Sequence, residues 1–295
     1  MLPVEDLMAE IRDLVERHAR SDARTPLDGV LVSRHETSEP DYQVSDPLFV
    51  LMAAGAKRLY FDQRVIEYRA GECLVVTTGL PLSGQFVDAT PEHPALAVGV
   101  QLRPSTIAAL VPQLPPGRRL RPGSDRALGV GTADAELLDA LVRMLRLLDR
   151  PADAPVLAPM IEREILWRLL NGPLGSSITQ LGLADSGLAH VSRAIARIRE
   201  RFADPVTVPE LAQLAGMSVS TFHRHFRAVT GMTPLQFQKH LRLQEARSLL
   251  LTRTRDVTGI AHLVGYSSPT QFNREYRRLF GAPPGRDAAI IRSRA

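Results

Sequence analysis

One pattern occurs twice in the C-terminal third of the chain, with the two copies about 50 residues apart. Each copy has an aliphatic residue followed by Ala, then a Gly, then a Phe-x-Arg-x-aromatic core and a closing Gly. The first copy runs through Leu211-Ala212, Gly216, Phe222, Arg224, Phe226 and Gly231, and the second through Ile260-Ala261, Gly265, Phe272, Arg274, Tyr276 and Gly281. A glycine that permits a tight turn, followed by a helix with buried aromatic residues, is typical of a helix-turn-helix unit. Two such units can read two half-sites of a DNA duplex without dimerisation, so the repeat predicts DNA binding.

Composition sets the frame for this repeat. The chain has 295 residues, 44% of them apolar, which is enough for two domains with separate cores. Its single cysteine, Cys73, excludes an intrachain disulfide and a cysteine-rich zinc site. The N-terminus lacks the features of a signal peptide, and no apolar run approaches the ~18–20 residues that cross a bilayer. We therefore expect a soluble cytoplasmic protein with no membrane partner.

Charge is divided unevenly along the chain. Residues 187–295 contain 17 Lys or Arg and 7 Asp or Glu, a net charge of +10, whereas residues 1–186 contain 19 and 25, a net charge of −6. A basic C-terminal part joined to an acidic N-terminal part indicates that the former faces a polyphosphate and the latter does something else. Chance variation of surface charge is the alternative.

The N-terminal half has the pattern of a small β domain with flanking helices. Residues 4–18 form an amphipathic helix, and residues 28–103 contain short β-type runs separated by turn residues, which favours a small sandwich or barrel. Residues 112–131 are expected to form a loop, and leucine-rich helices follow at about 133–149 and 156–171. These two helices suit either a dimer interface or packing onto their own domain. The predicted organisation is 1–172 for a sensor and dimerisation domain, 173–188 for a linker and 189–295 for a DNA-binding domain.

The C-terminal domain is predicted to be all-α. A leading helix at about 189–202 precedes the first motif, whose second helix spans about 219–229 after the capping residue Ser218. A long helix at about 234–251 joins this motif to the second one, whose own second helix covers about 270–279 after Ser268 and Pro269. The fold class is therefore α+β, with an N-terminal small β-barrel and a C-terminal domain in which a long helix joins two helix-turn-helix motifs.

The second helix of each motif is the candidate recognition helix. Arg can bond guanine bidentately, Gln and Asn can bond adenine in the same way, and hydroxyl groups suit phosphate oxygens. The candidate base-contacting residues are Ser220, Thr221, His223, Arg224, Thr270, Gln271, Asn273 and Arg274. The candidate phosphate-contacting residues are Ser218, Ser267, Ser268, Arg227, Arg277 and Arg278. Internal salt bridges of Arg224 and Arg274 are the structural alternative to contacts with DNA.

Residues 190–284 resemble the AraC/XylS-type DNA-binding domain, most clearly in the run Gly-Tyr-Ser-Ser-Pro-Thr-Gln-Phe-Asn-Arg-Glu-Tyr-Arg-Arg-Leu-Phe-Gly over 265–281. The resemblance implies base contacts from Ser220, Thr221 and Arg224 in the first recognition helix and from Thr270, Gln271 and Arg274 in the second. Ser220 departs from relatives that carry a bulkier residue there, which puts strong discrimination at that base in doubt. The N-terminal half, through residues 163–173, is similar to the cupin-like sensor domain of such regulators, which implies effector binding, dimerisation or both.

Enzymatic and metal-dependent functions have little support in the sequence. The N-terminal half has only His18, His35 and His93, none of them closely spaced, so we expect no metal and no cofactor. No catalytic motif is found. Cys73 is either a sensing thiol or a buried strand residue.

The favoured hypothesis is therefore a sequence-specific transcription regulator. It would bind promoter or operator DNA, would be controlled by a small-molecule effector, and would act as a homodimer that could contact RNA polymerase. The alternatives are an architectural DNA binder of low specificity, or a β-domain enzyme or sensor with a helical nucleic-acid anchor.

Overall fold

The computed structural model describes residues 2–61, 64–115, 127–184, 186–251 and 256–292. These residues form two compact units, Met1–Ala189 and His190–Ala295. No helix in the described ranges is both long and apolar enough to cross a membrane.

The N-terminal unit combines antiparallel strands with helices. Its strands are β1 (Val30–His35), β2 (Asp41–Ser45), β3 (Leu48–Ala54), β4 (Ala56–Phe61), β5 (Arg64–Arg69), β6 (Glu72–Val76), β7 (Leu80–Val87), β8 (Ala95–Gln101) and β9 (Leu128–Thr132). Its helices are α1 (Val4–His18), α2 (Pro104–Leu110), α3 (Ala135–Arg146), α4 (Ala154–Asn171) and α5 (Gly175–Gly182).

The described strands form two antiparallel sheets, in the orders β1-β8-β3-β6-β9 and β2-β7-β4-β5. The predicted α+β class and cupin-like β architecture are confirmed, but the strands pair as two sheets and not as one closed barrel. The second sheet contains three strands, β2, β5 and β7, that the apolar runs within residues 28–103 did not indicate. In β5, for example, Glu67 pairs across the sheet with Arg58 at 2.8 Å, so charged cross-strand pairs replace the expected apolar alternation.

The predicted helices of this unit form and cover its core. The apolar face of α1, through Leu7, Ile11 and Leu14, is fully buried with α3 and the first sheet. The side chain of Asp134 accepts a hydrogen bond from the Leu137 amide at 2.8 Å and so caps the start of α3.

The segment predicted as a linker, 173–188, is largely structured, which corrects that prediction. Residues Gly175–Gly182 form α5, and Ile178 within it is completely buried in the N-terminal core. Its glycines allow close packing: a Cβ at Gly175 would lie 2.0 Å from the Leu170 carbonyl oxygen, and one at Gly182 would lie 2.8 Å from the Ala108 amide nitrogen. Composition alone does not distinguish such glycines from those of a flexible linker.

The loop predicted at 112–131 also needs correction at its end, because Leu128–Thr132 forms β9 and pairs with β6. Residues 116–126 of that prediction lie outside the described ranges.

The C-terminal unit is helical in its described residues, as predicted. Its elements are α6 (Gly187–Glu200), α7 (Val208–Leu214), α8 (Val219–Thr230), α9 (Pro234–Leu251), α10 (Val257–Leu263), α11 (Pro269–Phe280) and α12 (Pro284–Arg292). The last of these was not predicted. It is held by Asp287, which accepts hydrogen bonds from Arg247 and from the Tyr276 hydroxyl, both at 2.8 Å.

Candidate nucleic-acid interface

The first helix-turn-helix unit consists of α7, a turn at Gly216 and α8. The side chain of Thr207 accepts a hydrogen bond from the Glu210 amide and caps α7. Gly216 has a φ of +64°, a conformation that favours glycine, and Ser218 then caps α8 by accepting from the Thr221 amide at 3.3 Å. Gly231, with a φ of +67°, ends α8.

The second unit repeats this design with α10 and α11. Asp256 caps α10 by accepting from the Gly259 amide at 2.9 Å, and Gly265 makes the turn with a φ of +89°. Ser268 caps α11 by accepting from the Gln271 amide at 3.3 Å, and Gly281 ends the helix with a φ of +79°. The helix starts and ends predicted from the repeat are confirmed. Both recognition helices begin after a capping serine and end at a glycine with a positive φ.

Aromatic residues hold both recognition helices by their inner faces. In α8 the rings of Phe222 and Phe226 are fully buried with centroids 5.4 Å apart. In α11 the equivalent rings of Phe272 and Tyr276 are fully buried with centroids 5.5 Å apart. The outer face of each helix is therefore the one that carries the candidate DNA-contacting residues.

Most of these candidate residues are exposed to solvent. Exposed are Ser218, Ser220, Arg224, Arg227, Ser267, Thr270, Gln271, Asn273, Arg274, Arg277 and Arg278. Partly buried are Thr221, His223 and Ser268. Within the described ranges no salt bridge involves Arg224 or Arg274, so both cations face solvent at equivalent places in the two units.

Two of the candidate amides already have partners. The Asn273 amide nitrogen donates to the Pro269 carbonyl oxygen at 2.9 Å, which holds the side chain against its own helix. The Gln271 amide nitrogen donates to the Glu275 carboxylate at 3.3 Å. These two bonds give each side-chain amide a preferred orientation.

Glu275 is a residue that the sequence analysis missed. It accepts hydrogen bonds from the Tyr266 hydroxyl at 2.8 Å and from Gln271, and it forms a salt bridge with Lys239 of α9 at 3.0 Å. Partial burial acts to raise the pKa of Glu275, but these donors outweigh it and leave the pKa below its ordinary value. Its neighbour Arg274 matches the repeat, whereas Glu275 has no counterpart in the first copy and so gave no signal.

Arg242 of α9 joins the two units and was also missed. Its guanidinium donates to the backbone carbonyls of Phe202 at 2.7 Å, of Gly265 at 2.9 Å, and of Ala203 and Asp204 at 3.0 Å. The carbonyls of residues 202–204 lie in the segment before α7, and that of Gly265 lies in the turn before α11. One partly buried cation thus ties the first unit to the second through backbone oxygens, and no sequence pattern marks an arginine for that role.

Residues of the N-terminal half that were weighed for metal binding or sensing show local structural roles. His18 bonds Asp149 at 2.8 Å, and His35 stacks on Phe86 with ring centroids 4.0 Å apart. Cys73 is buried, and its thiol donates to the Gly131 carbonyl oxygen at 3.3 Å. In the part of the chain that the structure describes, no group of three or more His, Cys, Asp or Glu side chains could hold a metal ion.

The fold and this site together define a protein in which a double-sheet domain precedes paired helix-turn-helix units. Residues 26–177 match the family model of the AraC-type transcriptional regulator N-terminus, and residues 211–288 match a helix-turn-helix domain model. Because the first match covers more than half of the chain, the protein belongs to the AraC-type transcriptional regulators, and the predicted family is confirmed.

Individual relatives agree with this family. The transcriptional activator RhaS of Salmonella schwarzengrund is 31% identical over 159 residues, which cover 52% of this chain and 57% of the relative. RhaS of Salmonella arizonae is 31% identical over 156 residues, covering 51% and 56%. The chain thus spans little more than half the length of the curated relatives that it matches.

Solved structures extend the likeness in fold to most of the chain. Apo ToxT from Vibrio cholerae is similar with a TM-score of 0.58 and 11% identity, over 90% of this chain and 98% of ToxT. ToxT with a bound unsaturated fatty acid is similar with a TM-score of 0.56 and 10% identity, over 88% and 94%. At these identities the likeness shows the fold alone.

Proposed function

We propose that the protein is a sequence-specific DNA-binding regulator of transcription that a small-molecule effector controls. The observation that carries this proposal is the pair of helices α8 and α11. Each is capped by a serine, anchored by two buried aromatic rings and exposed on the face that carries an arginine with no salt bridge to any described residue. A helix held in this way can lie in the major groove with its N-terminal residues against base edges.

The outer-face residues divide into two proposed roles. Arg224 and Arg274 would bond guanine, and Gln271 and Asn273 would bond adenine, with the remaining base contacts from Ser220, Thr221, His223 and Thr270. Ser218, Ser267 and Ser268 near the helix starts and Arg227, Arg277 and Arg278 further along would contact phosphates. The net charge of +10 over residues 187–295 supports an attraction to the DNA backbone.

The length of α9 supports simultaneous binding by both units. Its 18 residues span about 27 Å at ~1.5 Å per residue, which is close to the ~34 Å that separates successive major grooves. The Arg242 hydrogen bonds would keep the two recognition helices at a constant separation. We infer that the operator contains two half-sites about one helical turn apart for each protein chain.

The N-terminal unit is proposed to receive the effector and to form a homodimer. On α4, Val156 and Met160 are 67% and 64% exposed, and Leu157 beside them is also exposed. Apolar residues at this spacing on one helix suit pairing with a second copy. Contact with RNA polymerase and a cytoplasmic location follow from the proposed role as a regulator and remain predictions.

The test is a genome-wide footprint of the purified protein on fragmented DNA of its host, followed by mobility shifts on the recovered sites. We expect discrete sites with two half-sites, and a loss of preference for them in Arg224→Ala and Arg274→Ala. Arg197→Ala is the matched control, because Arg197 is an exposed arginine of α6 paired with Glu200. Binding that is diffuse and fades with salt would instead indicate an architectural DNA binder.

A further inference from the structure

A cavity of about 370 Å³ lies in the N-terminal unit, outside the features used so far. It is bounded by the turn before β1, the end of β8, the end of α3 and the first half of α4. Its walls are mostly apolar and include Leu27, Val30, Val100, Met144, Leu147 and Ala158. This volume and lining suit a small molecule with an apolar body.

The charged residues that line this cavity are Asp28, Glu162 and Arg103. Arg103 contacts both carboxylates. Its Nη1 donates to both carboxylate oxygens of Glu162, at 3.0 and 2.8 Å. Its Nη2 lies 2.8 Å from a carboxylate oxygen of Asp28, whose side chain is 95% exposed. Gly29, with a φ of +76°, gives the guanidinium room, since a Cβ there would lie 2.8 Å from Nη2.

The Nη2 atom of Arg103 is buried and donates no hydrogen bond to any described residue. The oxygen of Asp28 is therefore near enough for charge attraction, but it does not lie along an N–H bond of the guanidinium. A buried donor left without an acceptor costs free energy, so this arrangement favours an additional acceptor. The Glu162 side chain is 15% exposed, and its partial burial raises its pKa in spite of the adjacent arginine.

We propose that this cavity binds a small amphipathic carboxylate. Its apolar body would occupy the space between the β1 turn and α4, and its carboxylate would accept from Arg103 Nη2 in place of Asp28. Asp28 can leave at little cost because an exposed carboxylate is readily hydrated. Glu162 stays paired with Nη1, so the unsatisfied atom at the site is the donor Nη2. A carboxylate can accept from this donor, whereas an ammonium group has no acceptor to offer.

The position of the cavity suggests how the occupant acts. Ala158 and Glu162 lie along the face of α4 that lines the cavity, while Val156 and Met160 lie on the exposed face proposed for dimerisation. An occupant would thus act directly on the helix that meets the second copy. This part of the inference rests on the proposed function, whereas binding of the carboxylate does not.

The experiment is titration calorimetry of the full chain with octanoate, octylammonium and octanol, three probes with the same apolar body. We expect octanoate to bind at least about tenfold more tightly than the other two, because a charge-assisted hydrogen bond to guanidinium is worth about that factor or more. Asp28→Asn should tighten octanoate binding about two- to fivefold, because it removes the competing carboxylate. Arg103→Gln should abolish the preference for octanoate, and Ala158→Leu should weaken all three probes by filling the cavity.

Circular dichroism of each variant shows whether the variant is folded. If Arg103→Gln fails to fold, Asp28→Asn still decides, since residue 28 is exposed and its substitution leaves the core intact. A preference for octylammonium that Asp28→Asn weakens would overturn the proposal, as it would identify a cation site. Failure of every probe to bind, in protein that still recognises its DNA sites, would overturn this inference and leave the proposed function standing.

Discussion

The close contact between Gly265 and Ala203, where the two helix-turn-helix units meet, leads to a specific prediction for Gly265→Ala. Gly265 has a φ of +89°, and a Cβ there would lie 2.1 Å from the Ala203 carbonyl oxygen, a backbone atom. The same carbonyl and that of Gly265 both accept from Arg242. A methyl group at this position therefore strains its own backbone and also pushes apart the two segments that Arg242 joins.

The magnitude follows from two contributions. Positive φ in a non-glycine residue costs about 1–2 kcal/mol, and overpacking at a site that cannot relax adds about 1–3 kcal/mol. We expect Gly265→Ala to lower the free energy of unfolding by about 2–5 kcal/mol. Gly216→Ala, at the equivalent turn of the first unit, should lower the free energy of unfolding only by the contribution of positive φ, because its Cβ would meet nothing closer than 3.9 Å.

The assay is urea unfolding of the full chain followed by circular dichroism, with the wild type and both variants in parallel. Gly281→Ala adds a second control, since its φ is +79° and nothing lies within 4 Å of its Cβ position. DNA affinity should also fall most in Gly265→Ala, because the separation of the recognition helices changes. Equal destabilisation by Gly265→Ala and Gly216→Ala would refute the assigned role of the Ala203 contact.

Three further predictions concern other parts of the chain. Arg274→Ala should reduce the free energy of binding to a recovered operator by about 1–3 kcal/mol and relax specificity at one base pair. Arg277→Ala should weaken binding to all sequences alike and reduce the slope of affinity against salt concentration. Mobility shifts on single-base variants of the operator separate the two effects. Burial raises the pKa of Cys73 to about 11, so its thiol should react slowly with iodoacetamide in the folded protein at neutral pH, and a rate equal to that of the urea-unfolded chain would contradict this. Burial lowers the pKa of His35 in the folded protein, so the imidazole of the unfolded chain takes up a proton at a higher pH than that of the folded chain. The free energy of unfolding should therefore fall as the pH falls below about 6.5. Replacement of His35 by Phe keeps the stack on Phe86 and should remove that part of the pH dependence of urea unfolding.

The strengths and limits of sequence reasoning differ between the two units. The helices of the two helix-turn-helix motifs were predictable because their signals are local: a capping serine, a turn glycine and aromatic residues at helical spacing lie within a dozen residues of one another. The strands β2, β5 and β7 were not predicted, since their stability comes from neighbours that are distant in the chain. The helix α5 was mistaken for a linker because glycines that permit close packing have the same composition as flexible ones.

The same distinction applies to the candidate site. The outward positions of Arg224 and Arg274 follow from their place between two buried aromatic residues, which the sequence already contains. The roles of Arg242 and Glu275 do not, since each is defined by partners on other helices or in a distant loop. Cavity residues such as Arg103 and Glu162 are 59 positions apart and meet only in the folded unit.

By itself the sequence determined the family, the two units and the faces of the recognition helices, because periodicity, caps and turn glycines act over a few residues. Only the tertiary structure decided how the two helix-turn-helix units are joined, which glycines are packed, and where a buried donor faces a cavity. These depend on contacts between segments far apart in the chain, and the free energy of such contacts is set by three-dimensional proximity, which no local pattern encodes.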